Sequence, residues 1–442
     1  LLLGDPVKFY YVEYVLADVL SRVEQERISL RAAMSEYFEK YRELEPIKGL
    51  ARAYALGLLR KYRLVDFIAE RVLGVDVNEL DFWERNLLRA LLYEIKFRNI
   101  DLDRAVKVSR KLTCVKLGME NFRAVRRVSI KSLLRRLKER ERLSVKYSQP
   151  EWVVEYLIKI LGEKETIRLL EKFNKKPAIW IRVNTLKITR RKLTYILRRR
   201  GLKVVEDVDL PDILRVESSM NLSKMPEYEK GLFYIQDKAS ALASHVLSPK
   251  FGERILDMCS APGSKALHTA TLSRNRAFII GLDWKPTRLK PLLNNMKKYG
   301  VYSIDLISVD SRIFASPKKF DKVLLDPDCT SLGRLGHSPE IRLWIEKGMI
   351  YRLRDLQYQL INRGIDLLKK GGVLAYSTCT LTLEENELLI KRVLEERSDV
   401  QIEEATPRIG LEGLEGLEKA QRLYPHVHNT QGFFICKLRK IR

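Results

Sequence analysis

Between residue 8 and about residue 142 apolar side chains recur every three to four positions, and Gly and Pro are scarce. In "IKGLARAYALGLLRKY" the residues Ile47, Ala51, Tyr54 and Leu58 fall on one face of a 3.6-residue period. "DFWERNLLRALLYEIKF" and "LDRAVKVSRKL" continue the pattern, which predicts an all-α first domain over 1–142. The pattern breaks at "SVKYSQPEW", where Pro150 and the polar residues before it mark a junction. Short β-rich runs then alternate with a helix: "AIWIRVNTL", then "TRRKLTYILRRRG" ending at Gly201, then "LKVVEDVDL". They predict a small α/β unit over 147–230.

From about Gly231 to residue 442 the alternation becomes regular, as in a doubly wound α/β domain. "RILDMCSAPGSKALHTATL" reads as strand, Gly-containing turn and helix, and "AFIIGLDWKPTRLKPLLNNMKKYG" repeats strand and helix. "SIDLISVD" and "DKVLLDPD" are short apolar strands ending in Asp. "DLQYQLINRGIDLLKKGGVLAYSTCT" is a long helix, a Gly-Gly turn and a strand. The strand ends carry Asp257, Asp283, Asp310, Asp326 and Cys379. Ligands of open parallel sheets bind beyond the carboxyl ends of the strands, so these five are expected to face one crevice.

Charge narrows the partners. Lys and Arg number 82 against 57 Asp and Glu, a formal charge of +25. That excess points first to nucleic acid and second to an anionic membrane surface. It is concentrated in Arg123, Arg126, Arg127, Lys131, Arg135 and Arg136 of the helical region, and again in Arg198 to Arg200. With 45% hydrophobic and 31% charged residues the chain is globular, which excludes wholesale disorder. No apolar run is long enough to span a bilayer, and the run before Asp5 is too short for a secretory signal, so the expected location is cytoplasmic. The five cysteines are scattered and form no CxxC, and the five histidines show no zinc-ligand spacing.

Two stretches carry candidate chemistry. "APGSK", Ala261 to Lys265, follows the first strand of the large domain, with Pro262 suited to a first helical turn and Gly263 to close ligand approach. It is neither GxGxxG nor GxxxxGK[ST], which argues against pyrophosphate binding. Asp283 ends the second strand, where a carboxylate can accept bonds from ribose hydroxyls. An adenosine cofactor without pyrophosphate, S-adenosylmethionine, fits both. Cys379 in "AYSTCTLTLEENE" stands at a strand end with room to act as a nucleophile. A thiolate adding to C6 of cytosine makes C5 nucleophilic enough to accept a methyl group. A second cysteine, Cys329, follows Asp328 in "LLDPDCTSLG", a neighbour expected to raise its pKa.

Together these motifs resemble the RNA 5-methylcytosine methyltransferases of the Sun/RsmB/nucleolar-protein family. "LDMCSAPGSK" is similar to the family's cofactor loop, "LLDPDCTSLG" to its PC motif and "YSTCTLTLEENE" to its TC motif. "IRVNTLK", "YIQDKAS" and "RLYPHVHNTQGFFIC" match further signatures, so the resemblance covers about Tyr147 to Cys436. The helical first third is similar to a NusB-like RNA-binding domain. The resemblance implies an RRM-like small subdomain and a Rossmann-like class I methyltransferase domain. It also implies that Cys259, Ser260, Ala261, Pro262, Gly263, Ser264 and Lys265 hold the cofactor, with Asp283, Arg288, Asp310 and Asp326. By the same resemblance Cys379 is the nucleophile, Asp326 bonds the target cytosine, and Cys329 assists release. The implied partner is ribosomal RNA, or transfer RNA, with an accessible cytosine, and the expected state is a monomer.

Two positions depart from the family pattern. Ser264 replaces the usual second glycine of the loop, and Asp328 replaces the usual Pro or Ala before the PC-motif cysteine. Two other readings compete: a DNA cytosine methyltransferase, which would not need Cys379, and an RNA-binding ribosome assembly factor that has lost the chemistry.

Overall fold

A computed structural model describes residues 12–217 and 220–442, arranged in two compact units. The first runs to Lys175 and takes in Leu335–Ile345; the second holds Lys176–Arg334 and Glu346–Arg442. Each has its own apolar core.

The first unit is all-helical. Its helices include Val12–Glu26, Leu30–Lys40, Lys48–Leu59, Phe82–Tyr93 and Met119–Arg127, and the apolar stripe read from the sequence is buried, with Ala51 and Leu58 inside. Side-chain caps start several of these helices: Ser29 accepts from the Ala32 amide, and Asp81 from that of Glu84. The basic run is two helices rather than one, because Ser129 caps a second helix, Ile130–Arg135. Arg123, Arg127, Lys131, Arg135 and Arg136 are exposed, whereas Arg126 turns inward to the Ile100 carbonyl. Helices Glu151–Leu161 and Glu163–Phe173 also join this unit, so the compact units divide at Lys175 rather than at 142–147. The buried Arg342 guanidinium anchors the 335–345 segment there, donating to carbonyls of Tyr147, Ser148, Phe173 and Leu335.

The second unit contains two sheets. In the small one, β1 (Ile179–Val183), β2 (Lys203–Glu206), β3 (Ile213–Glu217) and β4 (Phe233–Ile235) are all antiparallel in the order β2-β3-β1-β4. With helices Arg190–Arg199 and Pro226–Glu229 between strands, this is the ferredoxin-like βαββαβ arrangement. The fourth strand lies beyond the boundary expected at 230, so β4 belongs to the small sheet and not to the large domain.

The large sheet is built from β5 (Arg254–Asp257), β6 (Phe278–Asp283), β7 (Ile304–Ser308), β8 (Phe320–Leu325), β9 (Leu368–Thr378), β10 (Val400–Glu403), β11 (Leu411–Glu412), β12 (Gln421–Leu423) and β13 (Phe433–Lys440). Its order is β11-β12-β13-β9-β8-β5-β6-β7, with β10 on β13. Strands β5 to β9 are parallel, while β10 to β13 pair antiparallel. The expected doubly wound core is therefore present, extended by an antiparallel flank. Strand order reverses at β5, which opens the crevice beyond its carboxyl end.

The two sheets are joined by polar clasps. Arg182 of β1 donates to the Ser264 carbonyl at 2.8 Å, and Asn184 donates to those of Gly231 and Tyr299. Asp212 accepts from His245 and His268, one imidazole on each carboxylate oxygen, at 2.8 and 2.7 Å. Folding thus gathers three potential ligand atoms that sequence spacing did not predict. Burial and the nearby Arg182 guanidinium push the His268 pKa down to about 3, so this imidazole is neutral in its bond to the carboxylate.

Candidate active site

The carboxyl ends of β5, β6, β7 and β8 surround a cavity of about 440 Å³. Its lining includes Met258 and Cys259 after β5, Asp283 and Trp284 at the end of β6, Asp310 and Arg312 after β7, and Asp328 after β8. Helix Gly348–Leu367 closes one wall with Leu356 and Leu360. Asp283 is buried and accepts from the Lys285 amide, while the Trp284 indole is 59% exposed. Arg288 stands between two carboxylates, 3.6 Å from Asp283 and 3.7 Å from Asp328. Asp310 is held by Arg312 in a bidentate pair that lowers its pKa.

Of the loop residues Cys259 to Lys265, Cys259 reaches this cavity. Burial and the surrounding carboxylates drive its thiol pKa well up, so it serves as an apolar wall. The Ser260 amide donates to the Leu282 carbonyl at 2.7 Å, tying the loop to β6. Ala261 is buried and Pro262 exposed; their peptide bond is cis, and Pro262 precedes the helix rather than occupying its first turn. Gly263 caps helix Ser264–Leu272 at φ +107°, and a Cβ there would lie 2.2 Å from Leu292. Only glycine fits both constraints. Ser264 has an ordinary helical φ, so replacing the family's second glycine here carries no backbone strain.

A second cluster lies at the ends of β8 and β9. The Cys329 and Cys379 sulfurs are 3.3 Å apart, and Ser331 Oγ is 3.4 Å from Cys379. Ser331 is held at φ +57°, a costly conformation for a non-glycine residue, and places its hydroxyl beside both thiols, nearer Cys379. The Cys329 thiol donates to Cys379 and draws its pKa down to about 7; burial opposes the shift and the Arg334 guanidinium favours it. The same bond, with burial and the charges of Cys379 and Glu385, raises Cys329. Thiolate character therefore concentrates on Cys379.

The Cys329 pKa is raised, as expected, but its leading causes are the bond to Cys379, burial and the charges of Cys379 and Glu385 rather than Asp328. The Asp328 carboxylate turns to solvent and Arg288, and raises the buried Cys259 instead. Its carbonyl accepts from Gln357 at 3.0 Å, which keeps the turn ordered.

Beside the cysteines, Asp326 accepts from Ser377 Oγ at 2.8 Å and from Lys265 Nζ at 2.5 Å. Asp257, by contrast, lies buried under the loop, where burial lifts its pKa to about 7. The five strand-end residues thus divide: Asp283 and Asp310 line the cavity, Asp326 and Cys379 lie at the cysteine cluster, and Asp257 supports the Cys259 amide.

Several supports escaped the sequence reading. Glu385 was legible only as part of an acidic helix start, yet it is fully buried and precedes helix Glu387–Glu396. One oxygen accepts from the Thr330 amide at 2.9 Å and from Gln357 at 3.0 Å, the other from the Thr330 and Thr382 hydroxyls. Thr330 and Thr380, the residues after the two cysteines, share a 2.6 Å bond. Gly333 donates its amide to the Cys379 carbonyl, and a Cβ on it would lie 2.0 Å from the Gly432 carbonyl oxygen. The buried pair Arg422–Glu387 then holds the carbonyls of Leu381 and Thr382.

The chain matches three family models: 16S rRNA methyltransferase RsmB/F over residues 244–439, the RsmF/B-like ferredoxin-like domain over 149–223, and the NusB family over 14–117. It is 41% identical over 246 residues to a tRNA (cytosine(72)-C(5))-methyltransferase of Pyrococcus horikoshii, covering 55% of this chain and 60% of that protein. It is 27% identical to a probable ribosomal RNA small subunit methyltransferase B of Synechocystis, covering 92% and 94%. The solved structure of PH0851 superposes with TM-score 0.82 at 29% identity, covering 99% of this chain and 100% of the other. That of NSun6 from Pyrococcus horikoshii with SFG superposes with TM-score 0.62 at 30% identity, covering 66% and 98%. The chain spans 38% to 60% of the length of the first curated relatives it matches. With its ordered motifs, three matched domains and 30% identity across almost all of NSun6, the chain belongs to the RsmB/F methyltransferase family.

Proposed function

We propose that the protein transfers a methyl group from S-adenosylmethionine to C5 of a cytosine in RNA, through a covalent bond between Cys379 and C6. The observation that carries this reading is the cysteine pair, with a sulfur of lowered pKa 3.3 Å from a thiol donor. The Cys379 thiolate adds to C6, and the electron pair released to C5 takes the methyl group. A base then removes the C5 proton, the C5–C6 double bond re-forms, and Cys379 leaves as a thiolate. Cys329 assists this last step because its thiol hydrogen-bonds the departing sulfur. Asp326, oriented by Lys265 and Ser377, presents its carboxylate to the base.

The cavity suits the cofactor. About 440 Å³ lies within the usual range for a small ligand, and the buried Asp283 carboxylate can accept from ribose hydroxyls. The exposed Trp284 indole offers a face for the adenine, and Asp310 and Arg288 complete the polar rim. The cofactor supplies an electrophilic methyl group. The related NSun6 was solved with SFG, an analogue of it.

Ribosomal RNA is the favoured substrate, because relatedness to a ribosomal RNA methyltransferase runs across 92% of the chain, including the NusB region. A tRNA substrate is supported by the higher identity to a tRNA methyltransferase across the catalytic part. Incubation with methyl-labelled cofactor and either RNA pool, then nucleoside analysis, tests the proposal. Labelled 5-methylcytidine is expected; label in DNA alone, or none in either RNA, overturns it. A protein that binds RNA without forming 5-methylcytidine would be the assembly factor.

A further inference from the structure

At the amino ends of the parallel strands, opposite the carboxyl ends that hold the candidate site, lies a second cavity of about 330 Å³. Six cations line it, Lys250, Lys322, Lys369, Lys370, Lys437 and Arg439, with the acids Glu253 and Asp321; Asp321 pairs Lys369 at 2.6 Å, and Glu403 beside the cavity pairs Lys437 and Arg439. Lys322 is 8% exposed, and its ammonium is held by the Ser248 carbonyl and by Glu253 at 3.1 Å. Burial lowers its pKa, and Lys250 and Lys437 lower it further by repulsion. Cations still outnumber acids here, and the exposed Lys250 and Lys370 at the rim are the charges that an incoming anion meets first.

The same edge of the sheet carries aromatic rings. Phe251 precedes β5, Phe278 begins β6 and Tyr302 precedes β7; they are 76%, 68% and 78% exposed. Their backbones are neighbours: Phe278 donates to the Glu253 carbonyl, and Ile279 to that of Ser303. Arg276 lies over the Phe251 ring, 5.7 Å from its centre. From β13 across β9, β8, β5 and β6 to β7, this edge runs from cations to rings over about 24 Å at an inter-strand spacing of ~4.8 Å. Charge beside unburied rings is the chemistry that grips a nucleic-acid strand, the cations taking phosphate and the rings stacking bases.

We infer that this edge is a second RNA-binding site, in which the cationic cavity seats backbone phosphate while Phe251, Phe278 and Tyr302 stack bases of a single-stranded segment. The inference rests on RNA being the substrate. It assigns to the far end of the sheet the task of holding RNA remote from the methylated cytosine. Free phosphate would use the cavity but has no use for the rings.

The test uses the full chain and a fluorescein-labelled single-stranded RNA of about 24 nucleotides, read by anisotropy over a salt series. Lys250→Gln with Lys370→Gln removes two exposed charges, and Phe251→Ala with Tyr302→Ala removes two rings. The charge pair is expected to reduce the slope of log affinity against log salt by about 1.4, at ~0.7 per phosphate contact on a single strand. The ring pair is expected to weaken binding about fivefold or more per stacked base and to leave the slope unchanged. Melting temperature stays at the wild-type value in both variants. Wild-type RNA affinity and slope in both variants overturn the site while leaving the methyltransferase reading intact. Loss of inorganic phosphate binding with an unchanged RNA curve overturns it in favour of free phosphate. A wild-type protein that neither binds nor methylates RNA overturns the substrate reading, and this inference with it.

Discussion

Cys329→Ala removes the thiol that most strongly lowers the pKa of Cys379. Without it, burial acts on Cys379 with only Arg334 and Ser331 to oppose it, and the pKa rises from about 7 towards the ordinary 9.0. At pH 7 the thiolate fraction of Cys379 therefore falls. The rate of Cys379 alkylation by iodoacetamide, followed on its peptide by mass spectrometry, reports that fraction directly. The midpoint of its pH profile moves up from about 7, and the rate at pH 7 drops. Adduct chemistry moves the opposite way at high pH. Above pH 9 the variant forms the thiolate again, but the departing sulfur has no hydrogen-bond donor at 3.3 Å, so a denaturation-resistant protein–RNA adduct accumulates. The wild-type protein releases its product under the same conditions, and Cys379→Ala forms no adduct. An alkylation midpoint that stays near 7 in Cys329→Ala refutes the argument, and adduct formation by Cys379→Ala reverses the assignment of the two cysteines.

Two further outcomes follow from the supports of the site. Glu385→Gln keeps one oxygen for the Thr330 amide and Gln357 but sets an NH2 donor against the Thr330 and Thr382 hydroxyls, costing about 1–3 kcal/mol for each buried donor left unpaired. Its two cysteine loops lose register, and the Cys379 alkylation midpoint rises as in Cys329→Ala; a lower melting temperature with an unchanged midpoint would make Glu385 a merely structural residue. Asp328→Ala loses only an exposed pairing with Arg288 at 3.7 Å, worth about 0–1 kcal/mol, so cofactor affinity measured calorimetrically changes less than about fivefold and the alkylation profile does not move.

The sequence pattern predicted elements better than it predicted their ownership. The apolar stripe holding Ala51 and Leu58 and the strand ends at Asp283, Asp310 and Asp326 were legible because periodicity and turn chemistry are local. The βαββαβ order of the small sheet needed β4, whose three residues lie past the expected boundary at 230 but pair with β1. Helices Glu151–Leu161 and Glu163–Phe173 pack with the helical unit although Pro150 marks a break before them. Pairing partners and packing allegiance are non-local, and a proline or a polar run signals a change of direction without saying which core follows. The same limit hid Glu385: among "LTLEENE" it has the composition of a solvated helix start, and only the approach of Thr330, from 55 residues away, makes it a buried acceptor.

The motif "LLDPDCTSLG" makes this limit concrete at the scale of one residue. Adjacent side chains leaving a strand end point to opposite sides, so chain neighbours need not be electrostatic neighbours. Asp328 faces Arg288 and the larger cavity, while Cys329 faces Cys379 across the turn held by Thr330 and Ser331. Cys329 is kept protonated chiefly by its bond to Cys379 and by burial, and the carboxylate that adds to this is Glu385, far along the chain. A protonated Cys329 is the condition for a hydrogen bond that favours the thiolate on Cys379. Activation of one cysteine and retention of the proton on the other are therefore one property of the pair, set by a 3.3 Å separation that four short loop contacts and a strained serine maintain.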